Sequence, residues 1–189
     1  MANVGHMFVR GRRMAGVWAV AAVALALTTA CTPAPGPQPS PSPTGFASEE
    51  EAFAAAEETY RAYVDALNQV DLSDPETFEP VYALTTGNFH EDERKLFSEY
   101  HAEGYVVSGE STVALVEPLT WEKNVQTATL AACVDVSEVE LVDSEGKSLV
   151  SPDRVDIQST LVTLTASSTS TDWLIRDIEG RAGEPTCAN

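Results

Sequence analysis

The chain is short of cations and of recognisable catalytic motifs. Eleven lysines and arginines stand against 29 acids in 189 residues. That balance excludes nucleic acid as a partner, because phosphates demand basic side chains. It equally disfavours lying flat on anionic lipid. No G-x-S-x-G, no H-E-x-x-H and no glycine-rich phosphate loop occurs, so the common local signatures of nucleophilic, zinc-hydrolytic and nucleotide chemistry are missing. The acids form no D-x-[DN]-x-[DN]-G loop, so no structural metal is expected and no cofactor is implied. Long apolar runs are lacking too. Met14 to Leu27 is the main one, shorter than the about 20 residues a helix needs to cross a bilayer.

Cysteine is also scarce, with three residues, and the first is the most informative. Arg10, Arg12 and Arg13 precede the apolar run; Thr28, Thr29 and Ala30 follow it, and Cys31 comes next. A basic start, a short apolar core and small residues describe an export signal. The pattern resembles a bacterial lipoprotein signal, in which the cysteine is acylated and becomes the first mature residue. That resemblance implies residues 1–30 as signal peptide, Cys31 as lipidation site, and an extracytoplasmic protein anchored to the outer face of the cell membrane. Thr28 stands where leucine is commonest, one position after Leu27. Other readings stay open. An ordinary secretory signal would be cut elsewhere. A twin-arginine signal at Arg12-Arg13 would want a more apolar continuation than Met14-Ala15-Gly16. Met7 or Met14 would serve as alternative starts.

Residues 31–46 hold six prolines among Ser, Thr and Gly. Such a tract buries no core and runs as an extended tether of roughly 45 Å at ~3 Å per residue. Residues 47–189 suffice for one domain. All 29 acids lie beyond residue 30 with only eight cations, a net charge of −21 for the mature part. Cys133 and Cys187 remain as an even pair in an oxidising compartment, which points to a disulfide; two solitary thiols are the alternative.

Ser48 and Glu51 form a capping box, with Phe46 placed to staple onto Ala52. Phe53, Ala56, Tyr60, Tyr63, Val64, Leu67 and Val70 then recur at helical spacing. Asp74-Pro75 begins a second, shorter helix that Pro80 strains and Gly87 stops. Asn88 with Glu91 opens a third, carrying Phe89, Leu96, Phe97 and Tyr100 and ending at Gly104. After Gly104 the period shifts to two. Strands are expected over Tyr105–Glu117, Thr127–Val136, Val139–Val142, Val155–Ala166 and Trp173–Ile178, with a turn at Ser144-Glu145-Gly146. Ala128, Leu130, Ala132, Val134 and Val136 share one face; Thr129, Cys133 and Asp135 share the other. Helices first and an antiparallel sheet after make an α+β fold.

Three leading helices and a closing strand Asp172-Trp173-Leu174-Ile175-Arg176-Asp177-Ile178 resemble the nuclear transport factor 2-like superfamily. The stretches Gly104–Gly109 and Ala128–Asp135, with terminal Cys187, are more narrowly similar to exported lipoproteins of Gram-positive bacteria. The resemblance covers about Glu49 to Cys187. It implies a cone: a curved antiparallel sheet wrapped around the first helix.

Ketosteroid isomerase-like and polyketide cyclase-like members of that superfamily hold a carboxylate with a tyrosine or histidine in the cone. Asp135, Tyr60 or Tyr63, and His90 or His101 are the residues this chain offers. Asp135 as acid or base needs the interior of the cone, yet it shares a strand face with Cys133. The tyrosines sit in a core stripe, and the histidines are expected in solvent. His90 and Glu93 have metal-sharing spacing, but Glu93 reads more simply as an ion-pair partner of Arg94 or Lys95. The leading expectation is therefore a non-catalytic binding or accessory module of the cell envelope. Its partners would be the membrane through its lipid, an envelope protein or a small apolar ligand. Thr160, Val162, Leu164 and Ala166 would be the contact face if no helix covers them. The alternative is the isomerase- or cyclase-like enzyme with Tyr60, Tyr63 and Asp135 in one pocket. A third expectation is an auxiliary subunit that forms a homodimer through its sheet.

Overall fold

A computed structural model of the chain describes residues 45–166 and 172–187. The signal segment, Cys31 and nearly all of the proline tract lie outside the described residues. Residues 41–189 form a compact unit of their own.

The first helix, α1 (Glu49–Leu67), begins where extended Ser48 turns its Oγ to accept the Glu51 N–H at 3.1 Å. Glu51 reaches back past the cap to accept the Ala47 N–H at 2.9 Å, so one orphan donor of the helix start is satisfied and the entering chain is held. Ala52, Ala56, Tyr60, Tyr63 and Val64 form its buried stripe. Phe46 belongs to the core rather than to the tether: it is buried and stacks on Trp173 with ring centroids 5.0 Å apart. Trp173 Nε1 donates to the Ala52 carbonyl at 2.7 Å. The last strand is thereby tied to the start of the first helix. Truncating a tryptophan buried this way costs about 3–5 kcal/mol.

Asp74 caps a 3-10 turn (Pro75–Phe78) that runs into the single-turn α2 (Glu79–Tyr82). Pro80 falls in the first turn of α2, where its missing N–H costs nothing. Helix α3 (Gly87–Glu103) follows after four residues and ends at left-handed Gly104. Two expectations need correction here. Gly87 opens this helix instead of stopping the previous one, and the N-cap is Thr86, not Asn88. Leu96 is exposed, while Glu93 takes a buried position beside Phe97.

The strands are β1 (Val106–Ser108), β2 (Thr112–Glu122), β3 (Thr127–Asp135), β4 (Glu140–Val142), β5 (Ile157–Ala166) and β6 (Trp173–Gly180). The segment read as one strand over Tyr105–Glu117 thus breaks in two. The break makes a separate two-stranded sheet, β1–β4, beside the four-stranded antiparallel sheet β2-β3-β5-β6. Register shifts in β2 and β6 accompany the curvature of the larger sheet. Helices packed on a curved antiparallel sheet make the fold α+β, as the order of helices and strands in the sequence implies.

Ala128, Leu130, Ala132 and Val134 of β3 join the core with Val162 and Leu164 of β5, Trp173 and Ile175 of β6, and the stripe of α1. The face carrying Val162 and Leu164 is therefore covered, since both are wholly buried. It is not a free contact surface. Across the sheet, Cys133 and Cys187 are bonded, S–S 1.96 Å, holding the C-terminal tail against the outer face of β3. Arg181 consolidates that tail by donating to the carbonyls of Gly183 and Pro185.

Candidate functional site

At the end of α1 the chain is pinned from two sides. Asn68 clamps the backbone of Ser111, its Nδ2 donating to the carbonyl at 2.9 Å and its Oδ1 accepting the N–H at 2.8 Å. The Leu72 carbonyl accepts from His101 Nδ1 of α3 at 2.7 Å. Opposite this corner lie the β1–β4 sheet and residues 149–154. Between them opens a cleft of about 360 Å³, at the small end of ligand sites. Leu67, Val70 and Leu72 form one wall, Phe97 and Tyr100 of α3 the floor, and Val107, Val139, Leu141, Leu149 and Val150 the other wall.

Gly109 holds that wall in place. A Cβ there would meet the Glu138 carbonyl oxygen at 1.9 Å, and its φ is +80°. The β1–β2 turn can lie against the turn after β3 only because residue 109 has no side chain.

Among the described residues, Arg154 is the sole charged one lining the cleft. It is half-buried, and Nη2 donates to the Val136 carbonyl at 2.9 Å.

The perturbed acids lie elsewhere. Tyr63 donates its hydroxyl to Glu93 Oε1 at 2.6 Å, joining α1 to α3 inside the core. Burial pushes the Tyr63 hydroxyl well above its usual range, and the neighbouring Glu93 adds to the rise. Burial likewise raises the Glu93 carboxyl, with the hydroxyls of Tyr63 and Thr85 opposing. Glu93 Oε2 is buried with no hydrogen-bond partner among the described residues. The Thr85 hydroxyl instead donates to the Tyr82 carbonyl at 3.3 Å and meets His90 Nδ1 at 3.0 Å. Neither Tyr63 nor Glu93 lines the apolar cleft. A second, polar cleft of about 530 Å³ lies between the start of α3 and β6. It is lined by Asp92, Arg176 and Asp177 together, so both charge signs are already present.

Of the residues proposed for a catalytic pocket, Tyr60 and Tyr63 are neighbours in the core, ring centroids 6.4 Å apart. Burial raises the Tyr60 hydroxyl, and Thr160 opposes as its hydrogen-bond partner. Asp135 does not join them. It sits at the end of β3 on the face of Cys133, where hydrogen bonds from Ser137 hold its carboxyl below the usual range. That environment is the reverse of the apolar one a general acid needs. Of the histidines expected in solvent, His101 is exposed while its Nδ1 bonds to the Leu72 carbonyl, and His90 is half-buried with Nδ1 3.2 Å from the Tyr82 carbonyl. Glu93 pairs with neither Arg94 nor Lys95. Arg94 lies over the Tyr82 ring, and Lys95 pairs with Glu99 at 3.9 Å.

Sequence reasoning reads Glu93 as a surface ion-pair partner, which its buried place corrects, and passes over Arg154. Glu93 had a visible signal, because it falls midway between Phe89 and Phe97 at spacings of four on the apolar stripe of α3. Arg154 had none. Only the folding of a loop brings it to the cleft.

Comparison with known proteins adds little. No protein-family profile matches the chain, and no curated protein does. Among solved structures, a provisionally named aromatic ring hydroxylase from Novosphingobium aromaticivorans is similar at TM-score 0.48 and 16% identity, over 71% of this chain and 96% of its own. The intermembrane space region of the chloroplast protein ARC6 gives 0.48 and 16%, over 69% and 96%. CagV, a VirB8 homologue of the T4SS of Helicobacter pylori, gives 0.41 and 12%, over 67% and 95%. Likeness at these values bears on neither activity nor partner.

Proposed function

We propose that this protein is an exported lipoprotein, anchored through Cys31, whose globular part is a non-catalytic binding module of the cell envelope. Its ligand site is the cleft at the end of α1. The observation that carries the reading is a separation. The groups with raised pKa, Tyr60, Tyr63, Tyr82 and Glu93, are buried in the core, whereas the open cleft is walled by aliphatic and other aromatic side chains. Catalysis needs both in one place. A cleft with apolar walls and few polar groups binds by burial. The Cys133–Cys187 bridge suits an oxidising compartment, and the basic, apolar and small-residue run before Cys31 supplies the export signal.

Two measurements on the full chain purified from membranes test this. The mass of the native N-terminus should equal a chain starting at acylated Cys31; an unacylated N-terminus would remove the anchor. Leu141→Trp, which fills the cleft, should weaken retention of a small apolar probe such as octanol at least tenfold. Unchanged retention by a folded variant would remove the site.

A further inference from the structure

Arg154 is out of keeping with its surroundings. The mature part carries 29 acids against eight cations, yet among the described residues no Asp or Glu lines the cleft and its one charged residue is an arginine. Among the described residues, the ion pairs are Arg61–Glu57 and Lys95–Glu99, so Arg154 has no carboxylate within 4.0 Å. Its guanidinium makes one side-chain hydrogen bond to protein, from Nη2 to the Val136 carbonyl. An arginine has five N–H donors in a planar fork suited to carboxylates. The other donors have no bond to protein among the described residues, and the half-buried side chain lines a cleft whose walls offer mainly methyl groups and rings.

We propose that the cleft binds a small amphiphilic monocarboxylate, its apolar chain against Phe97, Leu141 and Leu72 and its carboxylate on the free N–H groups of Arg154. The inference rests on the cleft being a ligand site and goes further in naming the head group and the residue that selects it. The bond to Val136 fixes the guanidinium before the ligand arrives, which limits the ordering cost of binding. The acids elsewhere on the surface repel a free anion at long range. Affinity therefore comes from burial of the chain together with the local pair. A volume of 360 Å³, with room for about a dozen waters, fits a short chain and not a whole membrane lipid.

The test is equilibrium dialysis of octanoate, octanol, octylammonium and octyl phosphate against the full chain in zwitterionic nanodiscs, with empty nanodiscs as blank. Octanoate should be retained above the blank and above octylammonium. Arg154→Gln should weaken octanoate about tenfold or more, the scale of a hydrogen bond to a charged group, and change octanol less than twofold. Arg154→Lys should restore part of the loss. Because the substitution also removes the bond to Val136, a second reading comes from the unaltered protein. Its octanoate binding should fall with rising salt while octanol binding does not. Octanoate binding that ignores both Arg154 and salt, or tighter binding of octyl phosphate, would overturn the proposal and leave the cleft standing. If octanol and octanoate both match the blank, or Leu141→Trp changes neither, the cleft itself is no ligand site and both readings fall.

Discussion

Removing the Cys133–Cys187 bridge tests how this small domain holds its last strand and tail. The bond spans a sequence separation of 54. Loop-closure entropy for that span gives about 4 kcal/mol of stabilisation through the unfolded chain. At the roughly 2–4 °C per kcal/mol of a domain near this size, the double variant Cys133→Ala/Cys187→Ala should melt roughly 8–16 °C lower. The native state gives up little in the exchange, because Cys133 is already buried on the outer face of β3 and alanine fits that space. Differential scanning calorimetry of the oxidised, reduced and double-variant proteins reads the shift. Kinetics locate its origin: if the bridge restricts the unfolded chain, its loss slows refolding and leaves unfolding nearly unchanged. If docking of the tail is what stabilises, unfolding accelerates instead. Equal melting temperatures for oxidised and reduced protein would refute the loop argument.

Two further predictions concern the interior and the cleft wall. Burial raises the Glu93 carboxyl, so the folded state binds that proton more tightly than the unfolded chain. Stability is then lost as pH climbs from the ordinary glutamate range through the raised value. Glu93→Gln should flatten that part of the profile in urea melts from pH 4 to 8; parallel profiles for the two proteins would contradict the assignment. Gly109→Ala brings a Cβ onto the Glu138 carbonyl at 1.9 Å, and should cost at least about 2 kcal/mol and weaken binding in the adjoining cleft. A cost under about 0.5 kcal/mol in the same melts would show that the two turns separate freely.

The elements were legible where one rule spoke alone. Ser48 and Glu51 announce α1, its stripe follows the helical period, and β3 alternates cleanly. Misreadings arose where two rules competed. Gly87 was read as a stop because glycine ends helices, but Thr86 bonds its N–H to the Ile175 carbonyl at 2.8 Å. That contact with β6 delivers the chain directly into α3. Likewise Val106 and Val113 look like one strand by composition, while the turn at Gly109 parts them. The pocket was the least legible feature. Tyr60, Tyr63 and Asp135 were grouped by residue type, and only the tail bonded to Cys133 shows which face of β3 is outside. Nothing local in residues 149–154 signals that Leu149 and Arg154 meet the end of α1.

The Tyr63–Glu93 pair still bears on binding, through register. A carboxylate buried with one oxygen unpartnered is costly, and a polar contact of that kind is satisfied in one rotational setting of α3 against α1. Turning α3 by one residue would bring Asp92 or Arg94 toward the core and leave Tyr63 without its acceptor. The setting that satisfies Tyr63 also places Phe97 and Tyr100, one and two turns further along the helix, at the floor of the cleft. Arg94 on the Tyr82 ring and His101 on the Leu72 carbonyl agree with that setting from the helix flanks. The acidic pair thus acts as a peg that fixes where the apolar floor lies, while the proposed recognition falls to the aliphatic walls and Arg154.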